Sequence, residues 1–233
     1  MNCPTPPHEI YRIHMAEAKL RLLAAEKVSR SQVPLTGLLS LDMEFCFLQI
    51  RRVLETITFS AMARDEERYG KLREQQQQAN PRDHGDPSKD WHAPEILKRL
   101  ASLSPHALPI PIAKATQQSP GLLHYDRLQI NVNHGRLIEL YEQCGGYMHG
   151  KSPLVDDYPA LIASEYAKYA KAPVEVRRAL DFLHQLLWHH AVVKLEWSNA
   201  DDPKVPDGPR SAWIVDFGMP EGQDVALIIA EAT

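Results

Sequence analysis

The sequence contains few cysteines and no long hydrophobic run, and both absences exclude whole classes of protein. Only three cysteines occur among 233 residues, and no two of them form a Cys-x-x-Cys pair. Cys46 and Cys144 fall on apolar faces of predicted helices, which favours buried, reduced thiols over a disulfide framework. No segment approaches the ~18 consecutive apolar residues that a transmembrane helix needs.

The N-terminus also lacks the features of a signal peptide. Residues 1–7 read Met-Asn-Cys-Pro-Thr-Pro-Pro, without an apolar stretch after a charged start. The composition, with 44% apolar and 24% charged residues, is ordinary for a globular protein that can bury a substantial core. We therefore expect a soluble, cytoplasmic protein with no membrane partner.

Several common chemical signatures are missing. The sequence has no Gly-x-x-x-x-Gly-Lys-Ser/Thr loop, no Gly-x-Gly-x-x-Gly fingerprint and no Gly-x-Ser-x-Gly elbow. His-Glu-x-x-His is absent as well, and His189 and His190 follow His184 at five and six residues, which places the rings on different helix faces. These absences argue against nucleotide-driven and common hydrolase chemistry, and we predict no cofactor and no metal.

The charge is small and unevenly distributed. A net charge of −4 is not the basic surface charge that dominates binding to duplex nucleic acid. RNA stays a possible partner, but the net charge does not support it. Residues 201–233 carry seven acidic residues against Lys204 and Arg210. This acidic end leaves open a role as a structural subunit or antitoxin-like protein partner that covers a basic surface.

Apolar residues recur at helical spacing in the first third of the chain. Residues 1–35 contain a predicted amphipathic helix, with an apolar stripe formed by Ile10, Ile13, Leu20, Leu23 and Ala24. The strongest helix runs from about residue 40 to 64, and one arc of it carries Met43, Cys46, Phe47, Ile50, Val53, Leu54, Ile57 and Ala61. Because Phe45, Leu48 and Phe59 form a second apolar patch, we expect neighbours on both sides of this helix.

The remaining segments complete a predicted fold that is mainly α. Residues 36–192 are predicted to form a helical bundle core. A polar, proline-rich connector interrupts this core at about 65–121, and it contains a short helix followed by irregular chain. Further helices are predicted over 126–149, over 157–171 and from Pro173 to about 190–194. In residues 193–233 the period changes from 3.6 to 2, as in Leu195 and Trp197 and again in Trp213, Val215 and Phe217. We predict a helical bundle with a small C-terminal antiparallel β-meander packed on it.

Three charged residues interrupt the strongest apolar helix. Arg51 and Glu55 lie four residues apart on one face, whereas Arg52 points elsewhere. Burial of an unpaired charge costs several kcal/mol, so we expect Arg51 and Glu55 to be paired with each other or with groups across a helix interface. One interpretation is an ion pair that orients the central helix, and the other is a polar pocket for a ligand or RNA.

The second strong helix ends in Gly145, Gly146 and His149, with Glu142 on the same side. Each glycine costs a helix ~1 kcal/mol relative to alanine, so a close helix contact or the end of the helix must account for the pair. We predict that Gly145, Gly146 and Glu142 form a dimer interface beside His149. The alternative is that the glycines only loosen the helix end and His149 caps its carbonyls.

A long apolar helix with an internal Arg/Glu group, then a connector, then a helix ending in a histidine resembles the HEPN class of helical domains. HEPN domains are typically dimeric helical bundles, often in bacterial defence or toxin–antitoxin settings, and many are metal-independent ribonucleases. Their signature is an arginine and a following histidine that are separated by four to six residues. Here His149 takes the histidine position, while the arginine positions hold Glu142, Gln143 and Cys144.

The resemblance, without its arginine, implies two functions. The first is a HEPN-like binding or regulatory module that forms a homodimer. The second is a metal-independent ribonuclease, with His149 as general acid or base and Arg51 or Arg52, beside Glu55, holding phosphate.

Overall fold

A computed structural model describes residues 5–81, 83–104, 106–149, 152, 154, 156–194, 210–222 and 224–232. The described residues contain six α-helices, which confirms the mainly α fold class. The helices are α1 (Pro7–Ser29), α2 (Leu39–Arg64), α3 (Glu66–Ala79), α4 (Ala93–Leu103), α5 (His134–Met148) and α6 (Tyr158–Leu187). None of these helices is both long and apolar enough to cross a membrane.

Short antiparallel strands complete the fold. They are β1 (Ile110–Pro111), β2 (Thr116–Ser119), β3 (Leu122–His124), β4 (His189–Lys194), β5 (Arg210–Asp216) and β6 (Ala226–Ala232). Strands β2 and β3 form a hairpin, and the other four form a sheet in the order β1-β4-β5-β6. The predicted C-terminal meander is thus confirmed as β4–β5–β6. Residues 195–209, with Leu195, Trp197 and part of the acidic segment, lie outside the described residues.

Helix α2 lies at the centre of the core, as its apolar arc predicted. All eight residues of that arc are buried, and helices α1, α4, α5 and α6 all contact α2. Cys46 and Cys144 are buried free thiols, and burial raises the pKa of each to about 12. The expectation that neighbours cover the second apolar patch of α2 is confirmed for Phe59, which packs against a smaller apolar cluster with residues of α3 and α4, and is wrong for Phe45 and Leu48, which remain exposed.

Helix α1 packs along α2, but through a different face from the predicted stripe. Met15, Ala18 and Leu22 are fully buried, whereas Ile13 and Leu20 are exposed. The segment has apolar residues around much of its circumference, so the packing against α2 decides which of them enter the core. The 1–35 segment therefore shares the core of the bundle.

The later helices differ from their predicted bounds. Helix α5 begins at His134 rather than at 126, because the Asn133 side chain accepts a hydrogen bond from the Arg136 backbone N–H at 2.9 Å and caps the helix. Pro173 lies inside one continuous helix α6 instead of starting a new one. Buried Ala172 and Val176 show that this part of α6 packs into the core, and that packing offsets the backbone hydrogen bond that proline removes.

The proline-rich connector contains more structure than its composition predicted. Helix α3 forms in its first part, and β1 joins the edge of the main sheet, where the missing N–H of Pro111 is tolerated. Helix α6 ends at Leu187, so the predicted helix end at 190–194 is instead strand β4.

The sheet packs on the bundle through every second residue of the last part of β5 and of the chain just after it. Trp213, Val215 and Phe217 are buried in the same apolar cluster as α1 and α2. The fully buried Lys19 of α1 donates hydrogen bonds to the backbone oxygens of Phe217 at 2.5 Å and Met219 at 2.9 Å. One buried ammonium therefore joins the first helix to the chain that follows β5.

Candidate functional site

Glu55 of α2 binds both neighbouring arginines. Its Oε1 lies 3.3 Å from Arg51 Nε, and its Oε2 accepts a hydrogen bond from Arg52 Nη1 at 2.9 Å. The Glu55 side chain is 14% exposed and that of Arg51 is 21% exposed, whereas Arg52 extends outward at 57%. The predicted pairing of Arg51 with Glu55 is confirmed, whereas the prediction that Arg52 points elsewhere is wrong, because its long side chain reaches the same carboxylate.

Tyr141 of α5 adds a contact that the sequence analysis missed. Its hydroxyl donates a hydrogen bond to Glu55 Oε1 at 3.2 Å, and the Arg51 guanidinium carbon lies 4.1 Å from the centre of its ring. Burial raises the pKa of the Tyr141 hydroxyl above its usual value. In the sequence Tyr141 is one of several apolar-face residues of its helix, so no local signal separates it from the core.

Gly145 allows α5 to lie close to this ion pair. A Cβ atom at Gly145 would lie 3.3 Å from Arg51 Nη1 and 3.8 Å from His149 Nε2. The guanidinium and the imidazole therefore border the same glycine, and His149 is exposed at the end of α5. We call Arg51, Glu55, Tyr141, Gly145 and His149 the Gly145 cluster.

The other predicted interface residues have different surroundings. Gly145 is buried and makes its close approach inside the chain, to Arg51 of α2. Gly146 is exposed, with open space where its side chain would be, and Glu142 is exposed as well. Only Gly146 and Glu142 are thus left at the surface, while Gly145 is explained by packing within the chain.

A cleft of about 310 Å³ has His149 in its lining, but none of the other residues of the Gly145 cluster. Its polar and aromatic lining comes from α2, α5 and α6, and includes Glu44, Tyr147, His149, Tyr158, Glu165 and Tyr169. We call this space the α5–α6 cleft. No local pattern in the sequence indicates this cleft, because its lining residues are up to 125 positions apart.

Two of the cleft tyrosines are held by carboxylates. The Tyr169 hydroxyl donates a hydrogen bond to Glu44 Oε1 at 2.5 Å, and the Tyr147 hydroxyl donates one to Glu175 Oε2 at 2.9 Å. Tyr147 also stacks on Phe47, with ring centres 4.0 Å apart. Burial is the main cause that raises the pKa of both hydroxyls, so both are neutral donors at physiological pH.

A second polar cluster lies between α3 and α4, and the sequence analysis missed it too. Arg73 is fully buried and binds Asp83 at 2.6 Å and Asp90 at 2.9 Å, and the Tyr69 hydroxyl donates to Asp90 at 2.6 Å. Arg99 lies 3.4 Å from the same Asp90 carboxylate. We call these five residues the Asp90 network. The residue types of this network are those of any polar helix and loop, so the sequence does not indicate that they lie together.

The described residues contain no group of three or more His, Cys, Asp or Glu side chains arranged to hold a metal ion. The three clustered histidines have separate environments: His190 is buried against Tyr11, His184 stacks on Trp188, and His189 contacts Ile112. In comparisons with known proteins, no protein-family model, no curated protein and no solved structure matches this chain. The HEPN resemblance therefore stays a prediction from the sequence.

Proposed function

We propose that this chain is a HEPN-like helical protein that acts as a binding or regulatory module through the α5–α6 cleft. The observation that carries the proposal is the cleft itself, which places polar and aromatic side chains, several of them partly buried, beside His149 at a junction of three helices. Ligand sites commonly lie between helices of a bundle and combine an apolar wall with a few polar groups.

Binding is favoured over catalysis by the charges around His149. Glu55 binds both Arg51 and Arg52, so the three groups share a single net positive charge, and the guanidinium of Arg51, which lies beside Gly145, is already engaged by Glu55 and the Tyr141 ring. Glu44 in the cleft would repel an RNA backbone, whereas the charge of Glu165 is offset by Lys168. Metal-independent RNA cleavage needs both a tuned acid or base and a cation for the developing charge, and the second requirement has weak support here.

A thermal-shift screen against a chemically varied panel of small molecules tests the proposal. We expect at least one compound to stabilise the protein, and its effect to be lost in Tyr158→Ala. Tyr166→Ala is the matched control, because Tyr166 is on the same helix, is 76% exposed and does not line the cleft. A screen without any Tyr158-dependent compound would argue against a ligand site in the cleft.

A second candidate function is a metal-independent ribonuclease. It is supported by the position of Arg51 and His149 on either side of Gly145, because a phosphate could contact both groups there. This candidate predicts RNA cleavage in EDTA that disappears in His149→Ala, with His124→Ala, at an exposed histidine, as the control. Our leading proposal predicts that no such His149-dependent cleavage is found.

Homodimer formation is a separate proposal. Gly146 and Glu142 are exposed on α5 and leave room for a second copy related by a twofold axis. Light scattering at tens of micromolar protein is expected to give the mass of a dimer, and Gly146→Glu is expected to shift it to the monomer. A monodisperse wild-type monomer would remove the dimer, and would leave the cleft proposal intact.

A further inference from the structure

The α5–α6 cleft combines two kinds of group that attract organic cations. Tyr147, Tyr158 and Tyr169 supply aromatic rings, and Glu44 and Glu165 supply carboxylates. A ring face carries partial negative charge, so an ammonium ion over tyrosine is attracted electrostatically. Carboxylates add charge-assisted hydrogen bonds to the N–H groups of the same ion.

The protein already places one of its own ammonium groups beside this lining. Lys168 Nζ lies 4.7 Å from the centre of the Tyr147 ring and 5.3 Å from that of Tyr169. It also donates hydrogen bonds to Gly146 O at 2.8 Å and to Glu165 Oε2 at 2.9 Å. These contacts show how a primary ammonium satisfies its N–H groups among the same rings and carboxylates.

Glu44 is the charge in the cleft that Lys168 does not neutralise. It accepts a hydrogen bond from the neutral Tyr169 hydroxyl, and among the described residues no cation lies within ion-pair distance of it. A half-buried carboxylate without a cation favours a positively charged ligand. Glu44 therefore supplies the charge for a second ammonium group beside that of Lys168.

The rest of the lining limits the ligand to a short alkyl chain. Met148, Leu161 and Ile162 form the apolar part of the wall, which suits methylene groups. The volume of about 310 Å³ is at the lower end of known ligand sites, which span roughly 300–1,000 Å³.

We propose that the α5–α6 cleft binds a primary alkylammonium ion, with its charged end at Glu44, its N–H groups shared with Glu165 and its alkyl chain against Leu161 and Ile162. The ring of Tyr158, which is 48% exposed, covers the ammonium from the solvent side. This inference rests on the proposed function, and it adds the chemical class of the ligand.

Calorimetric titration of the full chain with n-butylammonium tests the inference. We expect saturable binding that is weakened at least about tenfold in Glu44→Gln, because the amide keeps the acceptor for Tyr169 but removes the charge. Glu139→Gln is the matched control and is expected to bind as the wild type does, because Glu139 is exposed on α5 outside the cleft lining. In Tyr158→Leu, which keeps an apolar side chain at an exposed position, we expect a smaller loss of affinity.

Three related probes make the result decisive. Butyrate and n-butanol have similar alkyl chains without the positive charge, and equal binding of either would overturn the inference. Tetramethylammonium has the charge without N–H donors, so we expect weaker binding, and tighter binding would overturn the assignment to a primary ammonium. Absence of saturable n-butylammonium binding, or an unchanged affinity in Glu44→Gln, would also overturn it. If the panel screen still gives a Tyr158-dependent compound of another class, only this inference fails and the cleft remains a ligand site.

Discussion

The Gly145 cluster and the Asp90 network are built from the same kinds of side chain at different depths. Each joins arginine, carboxylate and tyrosine across a contact between helices. In the Asp90 network the side chains of Arg73 and Asp90 are 0% and 4% exposed. In the Gly145 cluster the carboxylate and the arginine are partly exposed, and His149 faces solvent.

This difference separates a structural role from a binding role. The Arg73–Asp90 pair at the centre of the Asp90 network is shielded from water, so its two charges interact strongly with each other, while Asp83 and Arg99 lie at the edge of the network and are partly exposed. The Gly145 cluster keeps an open side next to the α5–α6 cleft, where a ligand can reach it. Depth, rather than residue type, decides which polar cluster is available for function.

The largest expected effect comes from breaking the closed network. Arg73→Met leaves the Asp90 carboxylate buried without its nearest cation, and we expect the free energy of unfolding to fall by about 3–5 kcal/mol. Urea denaturation measures this loss. Lys71→Met is the control on the same helix, because Lys71 pairs with the exposed Glu67. We expect this substitution to leave the midpoint of urea denaturation unchanged. Equal effects of the two changes would contradict the distinction between closed and exposed charges.

Tyr11 and His190 form a second closed pair, and we expect it to make the free energy of unfolding depend on pH by about 3 kcal/mol. His190 is fully buried, accepts a hydrogen bond from the Tyr11 hydroxyl at 2.9 Å and donates one from Nδ1 to Leu187 O at 2.7 Å. Burial lowers the pKa of His190 to about 4, below its unfolded value of about 6.5. The unfolded chain therefore takes up the proton first, and the contribution of His190 is complete above about pH 6.5 and is lost as the pH falls toward 4.

Urea denaturation between pH 4 and pH 8 checks this sign. The difference in unfolding free energy between wild type and His190→Gln should shrink as the pH falls through this range. Tyr11→Phe removes the hydroxyl but keeps the burial, so most of the slope should persist. Parallel curves for wild type and His190→Gln would show that His190 is not buried as a neutral group.

The smallest expected effect tests whether the close approach of Arg51 to α5 in the Gly145 cluster constrains the residue at position 145. Gly146→Ala should raise the free energy of unfolding by about 0.5–1 kcal/mol, because alanine is the better helix former and nothing lies within 4 Å of its new Cβ. Gly145→Ala should gain less, because its Cβ would meet Arg51 Nη1 at 3.3 Å while Glu55 and Tyr141 hold that side chain. Equal stabilisation by both would mean that the close approach of Arg51 to α5 is not a constraint.

The amount predicted from the sequence differs between these regions. The bounds of α2 and the burial of the eight residues in its apolar arc followed from helical periodicity, and the alternation of Trp213, Val215 and Phe217 predicted the meander. The pairing of Arg51 with Glu55 followed from their spacing of four residues. Each of these features depends on neighbours within one or two turns of the chain.

The errors arose where distant contacts overrode a local signal. Pro173 signals a helix start, but core packing on both sides of it keeps α6 continuous. Ile13 and Leu20 fit an apolar stripe, but the contact of α1 with α2 buries Met15 and Leu22 instead. The partners of Arg73 gave no signal, because aspartate in a polar segment is usually solvated.

By itself the sequence determined a mainly helical chain, its central helix, the C-terminal strands and an arginine–glutamate pair, because periodicity and close spacing are local properties. Only the tertiary structure decided that Tyr141 reaches Glu55, that Gly145 lies between Arg51 and His149, and that Glu44 and Tyr169 face the same cleft. These contacts join residues on different helices. Their formation depends on how the helices pack, which no single segment of the sequence specifies.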